Sequence, residues 1–276
     1  MQPSKRVYVV MLWSGLLAVG CGACGKSAAG PDAPGTSPGD GAPLDVPGHT
    51  PGMPGLGAHG MSFYHLAANA SSSISTPGMA TQPSGSTIVV AVGRGDNSLF
   101  ASGSPTDNKG NAPYQRIGDM HPYSVWPDSG TAVYAFPSAT GGGGFTVSTT
   151  RGVNRKNGGP DEITLAAIEV IEGTRIQDFV WNEIPGTPAK SLSVTTTGPA
   201  TLIALWWGDG YFYAPPLSQK AKPNNDFYPI EFNTQETDSF VQCSVAVKNV
   251  TKAGSYDVTW QAEPAQGAQL WLIAVQ

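Results

Sequence analysis

From Met61 to the C-terminus the chain alternates short runs of hydrophobic residues with polar ones, and no stretch keeps helical spacing for two turns or more. The runs are rich in β-branched and aromatic residues and are separated by Gly, Pro, Asn and Asp clusters, a pattern that predicts strands and turns. Strands are predicted at 87–93, 131–136, 145–149, 163–172, 176–182, 191–197, 200–207, 227–233, 240–248, 255–262 and 268–275. In Ser255–Trp260, Tyr256, Val258 and Trp260 face one way while Asp257 and Thr259 face the other. Val241, Cys243, Val245 and Val247 likewise share a face, which makes Cys243 a buried, unreactive thiol. Ile163–Ile171 and Leu270–Val275 are apolar on both faces and are expected to be central strands. Alternation sends Trp206 and Trp207 to opposite faces, so at most one of them is expected in the core.

Turn chemistry agrees with this reading. The Gly141–Gly144 run links two predicted strands, Thr197-Gly-Pro199 links two more, and Asp107–Asn111 places Gly110 where a hairpin bulge needs positive φ. Many short strands without intervening helices predict an all-β fold, an antiparallel β-sandwich with jelly-roll topology leading. Residues 61–276 are long enough for one large domain of this kind.

Composition changes abruptly before that head. Sixteen of the 31 residues from Gly30 to Gly60 are Gly or Pro, and Pro-Gly recurs at 34, 38, 47, 51 and 54. Proline lacks an amide donor and glycine resists ordering, so residues 21–60 are expected to form a disordered tether. As a coil it would reach about 35 Å, and as polyproline II up to roughly 120 Å. The match of Gly35-Thr-Ser-Pro-Gly39 to a serine-hydrolase string is accidental there, because that motif needs a strand and a helix around it.

Residues 1–20 look like a lipoprotein signal peptide. Lys5 and Arg6 precede an apolar run from Val7 to Val19, and small residues lead into Gly20-Cys21. The run is shorter than the ~20 residues a membrane-spanning helix needs. Cys21 is therefore the expected lipidation site, and an acyl chain inserted in outer-membrane lipid the expected anchor. Gly22, rather than Asp, after the cysteine fits outer-membrane routing, with the head on the extracellular or periplasmic face. Cys21-Gly-Ala-Cys24 has redox spacing but lacks the strand-to-helix context that chemistry requires. Removing Lys5 and Arg6 from the 15 basic residues leaves 13 against 20 acidic ones, a net charge of about −7. Such a surface argues against nucleic acid as a partner.

Three segments carry a resemblance: Asp107-Asn-Lys-Gly-Asn111, Asp161-Glu-Ile-Thr-Leu-Ala-Ala-Ile-Glu-Val170, and Gly254–Trp260 followed by Gln266-Gly-Ala-Gln-Leu-Trp271. Together they resemble secreted bacterial jelly-roll modules, most of which have no assigned activity. The resemblance spans roughly residues 85–276, and its motifs are structural, so it implies fold rather than chemistry.

Candidate chemistry centres on Trp206-Trp-Gly-Asp-Gly-Tyr-Phe-Tyr213 and His121-Pro-Tyr-Ser-Val-Trp126. Aromatic faces beside a carboxylate suit sugar rings, so His121, Tyr123, Trp126, Trp207, Asp209 and Tyr211 form the candidate carbohydrate platform. The competing reading has the same rings capping the core. Asp107, Asn108 and Asn111 offer oxygen ligands of the kind calcium accepts, or simply stabilise a turn. Histidines 49, 59, 65 and 121 show no zinc spacing, and no other cofactor is suggested. A glycan hydrolase would draw on Asp161, Glu162, Asp209 and Glu231, and an ester hydrolase on His121, although no serine sits in a nucleophile context. A binding module, a hydrolase and a structural envelope or matrix component remain the three functional classes.

Overall fold

The computed structural model describes residues 49–64, 73–101, 103–152, 162–186, 188–209, 221–234, 241–261 and 267–276. Cys21, the signal, most of the tether, Asp161 and Tyr211 lie outside them. One short 3-10 turn, Asn97–Ala101, interrupts a succession of strands, and every strand pairing among the described residues is antiparallel. The first half of the chain builds one five-stranded sheet from β1 (Gly55–Tyr64), β3 (Ser84–Arg94), β5 (Gln115–Pro122), β6 (Gly130–Thr140) and β8 (Ile163–Ile171). Its order is β1-β8-β3-β6-β5. The second half builds another from β9 (Ile176–Ile184), β12 (Ala200–Asp209), β14 (Tyr228–Thr234), β15 (Val241–Val250) and β18 (Ala268–Val275). Its order, β14-β15-β12-β18-β9, is the same arrangement read from the other edge.

The likeness extends to the covering strands. On the first sheet lie β2 (Ser73–Ser75), β7 (Val147–Thr150) and β4 (Thr106–Asp107), in the order β2-β7-β4. On the second lie β10 (Ala189–Lys190), β17 (Thr259–Gln261) and β13 (Lys222–Pro223), in the order β10-β17-β13, with β11 (Val194–Thr196) paired to β16 (Gly254–Tyr256) beside them. Each half is thus built on eight jelly-roll strands, the fifth of which extends the larger sheet, and the second half adds the β11–β16 pair. The chain forms two such halves, 55–171 and 176–275, where the sequence predicts a single head.

The halves pack through their large sheets, which leaves four β layers and three hydrophobic cores. The central core holds Met61, Val89, Val133 and Ile168 from the first sheet against Ile203, Val245, Trp271 and Ile273 from the second. A second core lies under one cover, around Leu202, Trp206, Val258, Trp260 and Leu270. The third lies under the other, around Ile88, Val90, Phe145, Val147 and Leu165. The strands that read as apolar on both faces are those with a core on each side.

Strand register defines which residues of the halves correspond. Gly93 pairs with Thr131 and Thr164, and Trp207 pairs with Cys243 and Gln269 in the same way. The Thr131 hydroxyl donates to Gln269 Oε1 at 2.7 Å, and the corresponding Cys243 and Thr164 also share a hydrogen bond. These reciprocal contacts imply an approximate twofold axis between the large sheets. The symmetry is broken at Gly93, where an added Cβ would lie 2.1 Å from Trp207 Nε1, because the indole fills the space a side chain would need.

Three expectations are revised here. Trp206 and Trp207 are both buried, because β12 has a core on each face. The ordered chain begins before Met61. Gly55–Gly60 belong to β1, where Ala58 N–H donates to buried Glu169, which also accepts from Gln82 N–H and the Ser86 hydroxyl. Asp107–Asn111 is a turn rather than a hairpin, since β4 pairs with β7, although Gly110 has φ +84° as predicted.

Candidate functional site

The sandwich has two seams where the edge strands of opposite sheets meet, and the twofold makes them equivalent. At the first, β1 lies against β14. His59 Nδ1 and Glu231 Oε1 are 2.7 Å apart, and the Glu231 side chain is almost wholly buried. Cys243 lies nearby. Burial pushes its thiol up to about 12, the Glu231 charge adds to the rise, and the hydrogen bond with Thr164 opposes it. The thiol is therefore unreactive at neutral pH.

At the second seam β5 lies against β9. His59 and Phe179 pair with equivalent residues, Ile168 and Ile273, and Glu231 and Ile117 pair with equivalent residues, Val245 and Val133. Phe179 and Ile117 thus stand where the first seam has its polar pair. β5 bulges between Ile117 and His121. Gly118 there has φ +65°, and a Cβ on it would lie 2.6 Å from Phe179 Cε2, so both backbone and contact call for glycine.

Without a polar pair at these positions, this seam leaves a groove of about 460 Å³ beside the Phe179–Gly118 contact. Ile117, Ala135, Ile176 and Phe179 give it apolar surface, while Gln115, Gln177 and Arg175 add polar residues; Arg116 alternates to the outer face of β5, where its side chain pairs with Tyr134. Phe179 remains 39 % exposed. Phe179, Ile117 and Arg175 had no signal in a local motif, since they come together only when two sheets are stacked.

The predicted platform is not assembled as drawn. Tyr123 and Trp207 are core residues, 1 % and 5 % exposed, with rings edge to face at 6.0 Å. His121 closes the far end of the open seam. Its ring stacks on Trp181 at 3.8 Å and 6° and meets Trp271 edge-on at 5.2 Å. Burial holds its pKa below the usual histidine value, against the pull of Asp119, and favours the neutral ring. Beyond it, the Ser124 hydroxyl and amide donate to Glu183. Trp126 is 51 % exposed beside Val125 at the tip of the β5–β6 hairpin. Asp209 ends β12, its side chain outside the described residues together with Tyr211.

The calcium expectation also meets a filled site. Asp107 accepts from the amides of Lys109 and Asn111, from Asn111 Nδ2 and from the Tyr114 hydroxyl. Asn108 Oδ1 accepts from Thr146 N–H, and Asn111 Oδ1 from Thr140 N–H. These oxygens are committed to holding a turn rather than converging on an ion. Burial and the Asp107 contact raise the Tyr114 pKa, which keeps its hydroxyl a donor. Among the described residues no group of three or more His, Cys, Asp or Glu could hold a metal ion.

No protein-family model, curated protein or solved structure matches the chain.

Proposed function

We propose that this protein is a lipid-anchored envelope module that binds carbohydrate in the groove between β5 and β9. The observation that carries the reading is the open seam itself, with an exposed Phe179 ring beside planar polar side chains. Sugar rings present C–H faces that pack on aromatic surface and hydroxyls that pair with Gln, Arg and backbone groups. The acyl anchor at Cys21 and a Gly/Pro-rich tether would hold the groove near the outer-membrane surface.

A hydrolase on the same scaffold draws less support, since Glu231 is buried against His59 at the opposite seam. The test is a glycan array probed with the detergent-solubilised full-length protein. Binding that Phe179→Ala abolishes supports the reading, and a blank array sinks it. Cys21→Ala should move the protein from membranes to soluble fractions and remove labelled palmitate. Retention of both would refute the anchor.

A further inference from the structure

We infer that the groove captures the end of a glycan chain, a terminal unit or the tip of a branch, and excludes internal units; the inference rests on the carbohydrate reading above. A groove that takes internal units must let the chain run out in two directions. This one is stopped at both ends along the strands and opens only sideways.

One stop is the contact between Phe179 of β9 and the β5 bulge, so close that a Cβ on Gly118 would lie 2.6 Å from the ring. The lining of the groove ends at that pair. Past it the His121 ring, stacked on Trp181 at 3.8 Å and edge-on to Trp271, occupies the seam between the same two strands.

The other stop is the crossover from β8 to β9, which is tied to both sheets. The buried Thr87 hydroxyl of β3 donates to Gly173 O at 2.7 Å. The amides of Thr174 and Arg175 donate to Gln276 O at 2.7 and 2.8 Å, and the Gln276 amide donates back to Arg175 O at 3.0 Å. Gly173 is held so tightly between Val170 of one sheet and Val275 of the other that a Cβ would lie 2.8 Å from each. Thr87, Thr174 and Arg175 line the groove, which makes this strap its wall at that end. Inward, Ile117, Ala135 and Ile176 belong to the central core or pack on it, so there is no outlet through the sandwich.

Only the mouth between β5 and β9 is open, where Gln115 and Phe179 are exposed. A sugar entering there lays one ring on Phe179 and leaves its chain in solvent. A unit bonded on two sides would drive its second neighbour into the Gly118 backbone or the strap.

The probes are linear cello-, malto- and chito-oligosaccharides of four and eight units, with cyclomaltohexaose as the ring without ends, titrated calorimetrically against the full-length protein in detergent. For a series that binds, one protein should bind per chain at both lengths, with affinities per chain equal to within about twofold, since the added units make no contacts. Cyclomaltohexaose should not bind. Of two octamers of the binding series, one reduced to the alditol and one O-methylated on its non-reducing unit, one should lose binding and the other keep it.

Two proteins on one octamer, or several-fold tighter binding of the octamer per chain, would overturn the inference and leave the carbohydrate reading standing. Binding of cyclomaltohexaose as tight as that of maltotetraose would do the same, as would retention of binding by both modified octamers. Failure of every series at both lengths would remove the carbohydrate reading and the inference together.

Discussion

The two seams of the sandwich occupy equivalent positions and reach opposite states. At β1/β14 a histidine and a carboxylate span the gap and close it. At β5/β9 the same positions hold Phe179 and Ile117, Gly118 supplies a bulge without a side chain, and a groove remains. Strand order is common to both, so the groove comes from side-chain choice at a few positions together with the β5 bulge, where Ile117 to His121 oppose only Val133 to Thr131 while the equivalent Glu231 to Asn233 run level with Val245 to Cys243. In a fold of this kind the place to look for function is where the internal symmetry fails.

The largest test of that comparison concerns the axis rather than either seam. Trp207 fills the hollow over Gly93 and is buried in the central core. Trp207→Ala should cost about 3–5 kcal/mol in a denaturant melt. A loss under about 1 kcal/mol would mean that the halves do not depend on this contact. At the closed seam, Glu231→Ala removes a buried hydrogen-bonded carboxylate and should cost about 2 kcal/mol, with Glu231→Gln costing less. At the open seam, Phe179→Ala should cost only about 1 kcal/mol, because the ring is partly exposed, while glycan binding is lost. Equal destabilisation by the last two alanines would dissolve the distinction between the seams.

The smallest expected effect is a pH dependence at the end of the open seam. His121 has a folded pKa below its ordinary 6.5, so the unfolded chain takes up the proton more readily. The stability it contributes is fully present above 6.5 and is lost as pH falls through the folded value. His121→Gln should flatten that part of the melting profile, and an unchanged slope would remove His121 as its source.

Much of the fold is legible in residue patterns because alternation records burial directly. Cys243, Val245 and Val247 all enter the central core as their spacing predicts. The Trp206–Trp207 pair misleads for a physical reason. Alternation assigns faces, but it cannot say how many layers stand on each face. The edge strands β1 and β5 are obscured by composition, the first by glycine and the second by its mostly polar sequence, Gln-Arg-Ile-Gly-Asp-Met-His-Pro. The candidate site lies on one of those edges, against a strand of the other half, so no local motif announces it.

The duplication is hidden as well. Corresponding residues such as Thr87 and Thr201 are 114 positions apart, but Leu165 and Leu270 are 105 apart, because the loops between strands differ in length. What the halves share is an alternation and a few identities, including Ile168 with Ile273 and Val170 with Val275.

Joining the halves in one chain has a consequence for how such a groove can exist. A homodimer built from either half would carry two identical seams, since symmetric subunits repeat every surface they expose. Any substitution that opened one would open the other, and the assembly would trade away both locks for two grooves. Here the crossover between β8 and β9 keeps the two apolar faces together at an effective concentration on the order of millimolar. Covalent linkage thus frees the partners from being alike, and one seam can specialise while its twin stays shut.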